Sequence, residues 1–173
     1  PIFFMTAPDA AEILEKLWEF AKTAYLDNAM PALFKERLFV FLSRFCQVRY
    51  CIVRHVGFLL GLGRPSGDQE SPLQTIEQVI RLIRLPLRRG EDLQLYLLQC
   101  AICNVPLAEL PDPDTAMEQA IFACATHAFL QTPDAPRCLN TLKRVLGESR
   151  FEHLMVFLGF VRTSHYWTEV HTE

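Results

Sequence analysis

Glycine is scarce in this sequence, seven residues in 173, and no Asn-Gly or Asp-Gly pair occurs. Tight hairpin turns rely on such pairs. Runs alternating apolar with polar residues are missing too, so nothing reads as a strand domain. No uninterrupted apolar run reaches the ~18 residues of a membrane span; the best candidate, residues 50–63, contains Arg54 and His55. A strong excess of one charge is also lacking. The net charge is −3, which gives neither nucleic acid nor an anionic membrane an obvious hold on the chain. Ile2-Phe3-Phe4-Met5 has no basic flank and does not read as a secretory signal. There is no Gly-rich phosphate loop after a strand and no Gly-x-Ser-x-Gly elbow. No nucleic acid, membrane, cofactor or metal is therefore expected. The chain begins at Pro1 rather than Met, as after removal of an initiator or as a piece of something longer.

Apolar residues and proline are plentiful. Half the residues are hydrophobic and eleven are proline, and the prolines fall where helices should start. The length suggests one domain, 1–173, and the spacing predicts an all-α bundle of about seven to eight helices. Thr6-Ala7-Pro8-Asp9 resembles a helix cap, and Ile13, Leu14, Leu17, Trp18, Ala21 and Tyr25 follow it at helical spacing. Further helices are expected from Pro31 to about Phe45, over about 48–62, from Ser71-Pro72 to near Pro86, over 91–103, from Asp112-Pro113 to about Leu130, and from Thr132-Pro133 to about Leu146. Gly147 breaks the pattern, and a last helix covers roughly 151–170.

Five of the six cysteines sit in apolar helical stretches. A secreted disulfide scaffold would be shorter and richer in loops, so a reducing, cytoplasmic setting is expected. Cys100-Ala101-Ile102-Cys103 is a Cys-x-x-Cys pair at the end of an apolar helix, where the helix dipole disfavours a thiolate; packing explains it better than redox chemistry. A zinc site would need a second ligand pair at suitable spacing.

Residues 31–64 stand apart. They hold Lys35, Arg37, Arg44, Arg49, Arg54 and Arg64 against one acid, Glu36, a net of +5 within a chain of net −3. In the third helix Val48, Cys51, Ile52, His55, Val56 and Leu59 share one face. Cys51 and His55, four apart, form the minimal pair of thiol and base. Arginines nearby would lower the thiol pKa, and Glu36 could orient the imidazole. Packing of a buried Cys and a hydrogen-bonded His is the bland alternative. Arg37, Arg44 and Arg54 are candidates to line a pocket for a small anionic ligand.

The stretch from Glu36 to His55 resembles the active-site helix pair of the alkylhydroperoxidase-D-like (carboxymuconolactone-decarboxylase-like) family. That pattern is Glu, eleven residues, Cys-x-x-Cys, three residues, His. Glu36, Cys51 and His55 fit every spacing, but Val48 stands at the first cysteine. Arg162 to Glu169 is similar to the final helix of longer family members. The resemblance implies an all-α fold, a homo-oligomer with a dimer favoured, Cys51 as the peroxide-attacking thiol, and His55 and Glu36 as proton-relay groups. Val48 cannot resolve a sulfenic acid into a disulfide, and Cys46 could replace it only if residues 46–48 form a turn. Phe34 to Phe45 with Arg49 to His55 also looks similar to N-terminal segments of multidomain sensor kinases. The expectation is a redox- or ligand-sensing input module of a bacterial signalling protein. The alternative is a single-cysteine thiol peroxidase using Cys51, His55 and Glu36, and a lactone decarboxylase comes a distant third.

Overall fold

A computed structural model describes residues 8–63, 73–102 and 105–171, and the regular secondary structure of the described residues is all helical, with no strand. After a 3-10 turn at Pro8–Ala10 the helices are α1 (Ala11–Ala21), α2 (Ala32–Cys46), α3 (Arg49–Leu59), α4 (Ile76–Arg84), α5 (Gly90–Ala101), α6 (Ala116–Phe129) and α7 (Ala135–Val170). One cluster of buried apolar residues draws on all seven. No helix among the described residues is long and apolar enough to cross a membrane.

Two helices form the centre. Phe34 to Ser43 of α2 and Ala120 to Phe129 of α6 are each buried without a break. Apolar residues all round suit α6 to the inside of a fold; α2 is buried on every side too, and takes Lys35, Glu36 and Arg37 in with it. Phe34 and Phe41 of α2 both meet the Phe122 ring of α6, with centroids at 5.3 and 5.6 Å. α2 runs into α3 through a two-residue turn. Gln47 takes the left-handed conformation (φ 58°, ψ 27°), and the Val48 amide reaches back to the Ser43 carbonyl at 3.2 Å. This is the Schellman closure, which satisfies carbonyls a helix end would leave orphaned.

Local signals set most boundaries, with four corrections. α6 starts at Ala116 behind the Thr115 cap, whose side chain accepts from the Glu118 amide, rather than at Asp112-Pro113. Thr6 and Ala7 lie outside the described residues, and α1 starts at Ala11 with no side-chain cap at Ala10. Ser71 and Pro72 also lie outside them. The start of α4 is set instead by Thr75 and Gln78, whose side chains and backbone amides bond reciprocally; Gln74, expected inside that helix, is turned into the core instead. The third helix stops at Leu59 rather than 62. After α1 the chain widens into a π-helical turn, Lys22–Leu26, which buries Ala24 and Tyr25.

α7 bends at Gly147, whose φ of 75° and ψ of 167° are not helical. That combination is open essentially to glycine alone. A Cβ there would stand 3.3 Å from the Pro106 ring. The neighbouring loop seals the bend, with the Leu107 amide on the Val145 carbonyl and Arg150 on the carbonyls of Leu107 and Ala108.

Candidate active site

Three consecutive charged residues, Lys35, Glu36 and Arg37, are each 1% exposed or less. Successive positions on a helix point about 100° apart, so each must find its own partners. The Lys35 ammonium donates to the carbonyls of Tyr25 (2.6 Å) and Asn28 (3.0 Å). The Arg37 guanidinium donates to both Glu118 oxygens (2.7 and 2.8 Å), to Asp114 Oδ1 (2.7 Å) and to Gln74 Oε1 (2.7 Å). Asp114 also receives Arg81 at 2.9 Å. Burial would raise the Asp114 carboxyl, but hydrogen bonds and charge from Arg37 and Arg81 outweigh it and hold the group below its ordinary range.

Glu36 is the member that faces the candidate site. Its Oε2 lies 2.5 Å from His55 Nδ1, and its Oε1 accepts from the Tyr25 hydroxyl at 2.5 Å. A carboxylate only accepts. Nδ1 of His55 is therefore the protonated nitrogen, and Nε2 is left to exchange a proton. The imidazole stacks on Phe39 with centroids 3.6 Å apart, and Tyr25 and Phe58 meet it edge-on.

Cys51 and His55 occupy the buried face of α3 together with Leu59. No hydrogen bond joins the two. Cys51 Sγ instead lies 3.9 Å from Thr168 Oγ1 on α7. The thiol is 3% exposed. Burial pushes its pKa up to about 11; the Thr168 contact works against the rise and Glu169 adds to it. The arginines that were expected to lower this pKa do not act on it. Charge density along a sequence says nothing about which side of a buried helix each charge takes.

Those arginines also do not meet in one anion pocket. Arg37 is consumed by Glu118, Asp114 and Gln74. Arg44 donates to the carbonyls of Ile83 and Leu85 at the end of α4 and lies over the rings of Phe41 and Phe45. Arg54 is exposed and lies over Phe58, 5.1 Å from the ring centroid. Arg64 lies outside the described residues. A cleft of about 470 Å³, lined by residues including Met30, Glu109, Arg150 and His153, involves none of the candidate residues.

Several residues of the site carried no sequence motif. Tyr25 enters from the π-turn. Phe39 and Ser43 come from α2, and His165 and Thr168 from α7. His165 is buried, its Nε2 lies 2.8 Å from Ser43 Oγ, and its ring meets Phe39 edge-on at 5.8 Å. The one available signal was His165 and Thr168 standing three apart on the otherwise apolar face of Phe157, Phe160 and Val161. Each of three helices thus offers a pair of residues three or four apart: Phe39 and Ser43, Cys51 and His55, His165 and Thr168.

The remaining cysteines pack. Cys100 Sγ lies 3.9 Å from Met117 Sδ, and Cys103 lies outside the described residues. A hydrogen bond with Cys138, then burial, pushes the Cys124 thiol far up. Among the described residues no group of three or more His, Cys, Asp and Glu side chains is arranged to hold a metal. His127 is tied to Thr132 and to the Arg88 carbonyl.

Comparison with models of known families, with curated proteins and with solved structures yields no match.

Proposed function

We propose that this chain is a sensing module of the alkylhydroperoxidase-D-like kind, the input part of a bacterial signal-transduction protein, with Cys51 as a redox thiol oxidised once per event. The observation that carries this reading is the Glu36–His55 contact at 2.5 Å. The two groups that the motif spacing pairs with Cys51 meet in the core, and Tyr25 holds the carboxylate from its other side. A buried carboxylate that orients an imidazole one turn from a thiol is the arrangement of a proton-relay base.

The buried, proton-retaining thiol favours sensing over turnover. Only the thiolate attacks peroxide, and at neutral pH a thiol held near 11 is almost entirely protonated. Val48 supplies no second sulfur at the motif's first position, so a sulfenic acid at Cys51 has no resolving partner there; Cys46, before the turn at Gln47 and Val48, is the one alternative the sequence offers. Thiol peroxidase activity is the second reading. It is favoured by Thr168, whose contact eases ionisation of Cys51.

Sulfenic-acid trapping after hydrogen peroxide, on the wild type and on Cys51→Ser, separates the readings when peroxide consumption is followed with added dithiol. One trapped equivalent at Cys51 without sustained consumption supports the sensor. Sustained consumption lost in Cys51→Ser makes the protein a peroxidase. No modification of Cys51 in folded protein removes both.

A further inference from the structure

One buried group in the site has no part in that reading. His165 is 4% exposed, and its Nε2 lies 2.8 Å from Ser43 Oγ. The Ser43 hydroxyl donates to the Phe39 carbonyl at 2.8 Å. A hydroxyl has one hydrogen, and with that hydrogen on the Phe39 carbonyl the serine oxygen accepts from the imidazole. Nε2 therefore carries the proton, and Nδ1 presents a lone pair. That Nδ1 is enclosed and has no hydrogen-bond partner. Buried polar atoms are nearly all satisfied in folded proteins. An acceptor kept bare by two successive hydrogen bonds calls for a donor from outside the chain.

Its location names the kind of donor. His165 and His55 contact the same Phe39 ring, and Thr168, one turn beyond His165, touches Cys51. Burial, the largest cause, with smaller contributions from His55 and Arg162, lowers the His165 pKa to about 4 and leaves the ring neutral at pH 7. Nδ1 is thus an acceptor at neutral pH and has no proton of its own to give. A small ligand with an O–H group, reaching it between α2, α3 and α7, would satisfy it.

We propose that His165 is a positioning residue of the Cys51 site, its Nδ1 accepting a hydrogen bond from the terminal O–H of a hydroperoxide and afterwards from the O–H of the Cys51 sulfenic acid. This rests on the reading of Cys51 as a redox thiol. In the step itself His55 Nε2 takes the thiol proton, and the thiolate attacks the hydroxyl-bearing oxygen. The S–O bond forms and the O–O bond breaks. The departing alkoxide, or hydroxide from hydrogen peroxide, takes the proton back from His55. Sulfur is oxidised by two electrons, the peroxide is reduced by two, and the products are the sulfenic acid and an alcohol or water. The O–H held by His165 stays on the transferred oxygen, so the same contact serves substrate and product.

Two substitutions separate this role from packing. His165→Gln keeps an N–H for Ser43 and loses the acceptor. His165→Asn places an amide oxygen near the Nδ1 position and loses the Ser43 contact. The rate of sulfenic-acid formation with hydrogen peroxide and with cumene hydroperoxide is compared with the rate of Cys51 alkylation by iodoacetamide, which offers no O–H. Loss of one hydrogen bond in the transition state corresponds to about tenfold in rate. Expected for His165→Gln is oxidation about tenfold slower with alkylation unchanged, and for His165→Asn a return toward the wild-type rate. Equal losses in oxidation and alkylation, or no loss in His165→Gln, overturn the proposal. Nitrogen-15 spectra of the His165 ring in Cys51→Ser, titrated with tert-butyl hydroperoxide, read the contact without the thiol. A shift of the Nδ1 resonance is expected, and a static resonance overturns the contact. If wild-type Cys51 stays unoxidised while Nδ1 shifts, the contact stands and the redox reading of Cys51 falls.

Discussion

Glu36 and His55, nineteen positions apart in sequence, meet in the core at 2.5 Å. The Glu36 carboxylate meets two donors, the Tyr25 hydroxyl and His55 Nδ1. An amide at this position would have one oxygen for two donors and would turn its own N–H groups toward one of them. Glu36→Gln is therefore expected to cost about 1–3 kcal/mol, the penalty for a buried group left unsatisfied. Urea denaturation at pH 7 measures it, and an unchanged midpoint would show that the contact is not maintained in solution.

The Cys51 thiol, held at a pKa of about 11 by burial, should alkylate slowly. Against an ordinary free thiol near 8.5 its thiolate fraction at neutral pH is about two orders of magnitude smaller. The rate of iodoacetamide modification, followed by mass spectrometry, should still be rising at pH 10. A plateau below pH 8 would mean that the thiol ionises far more easily than its surroundings imply.

Arg37 joins α2 to the start of α6 through Glu118 and Asp114 and reaches Gln74 before α4. Arg37→Met leaves the buried Glu118 carboxylate without its counter-charge, and breaking a buried pair in this way costs about 3–5 kcal/mol. Arg54→Met, on an exposed side chain, should stay within about 0.5 kcal/mol of wild type. If equilibrium unfolding finds the two variants alike, the clasp contributes no more than a surface charge does.

His165 gives the stability a pH dependence of known sign. Its folded-state pKa is depressed to about 4 from an ordinary 6.5, burial being the largest cause. Between those values the unfolded chain binds a proton that the folded chain refuses. This contribution is present in full above pH 6.5 and is lost as the pH falls toward 4, to a limit of about 3 kcal/mol. Asp114, held below its ordinary range by Arg37 and Arg81, keeps its contribution until lower pH and loses it as the pH drops through its folded-state pKa. Unfolding free energies measured from pH 4 to 7 should be flatter in His165→Gln than in wild type; parallel curves would assign the dependence to other groups.

Gly147→Ala should destabilise the bend in α7. The residue must hold φ 75° and ψ 167°, and the added methyl would meet Pro106 at 3.3 Å. Strain of this kind costs about 1–3 kcal/mol, readable as a lowered urea midpoint. A neutral substitution would indicate that the two halves of α7 straighten without loss.

The helical plan was legible because its causes are local. Proline fixes φ and glycine opens conformations closed to other residues wherever they stand, and Gly147 marked the break in α7 before any packing was known. Apolar spacing identified α3 and the shared face of Cys51, His55 and Leu59. Where local reading slipped, as at α4, the residues 71–74 carried a plausible cap and Thr75 with Gln78 made a better one, because their side chains and amides satisfy each other.

Among the charges only the destination of Glu36 was legible, from its motif spacing to His55; those of Lys35 and Arg37 were not. Lys35, Glu36 and Arg37 read as part of one basic segment, yet the fold sends them to backbone carbonyls, to His55 and Tyr25, and to Glu118 with Asp114. A helix displays successive side chains in different directions, and burial forces each charge to find a partner that lies 7 to 81 positions away. The same holds for His165, which comes 122 positions after Ser43 and becomes part of the Cys51 site only once α7 crosses α2 and α3. Hydrophobic period and backbone stereochemistry act over a few residues and are written directly in the chain. Desolvation and hydrogen-bond satisfaction depend on which helices pack together, and that arrangement turned three consecutive charges into three separate structural contacts and left one buried histidine nitrogen without a hydrogen-bond partner.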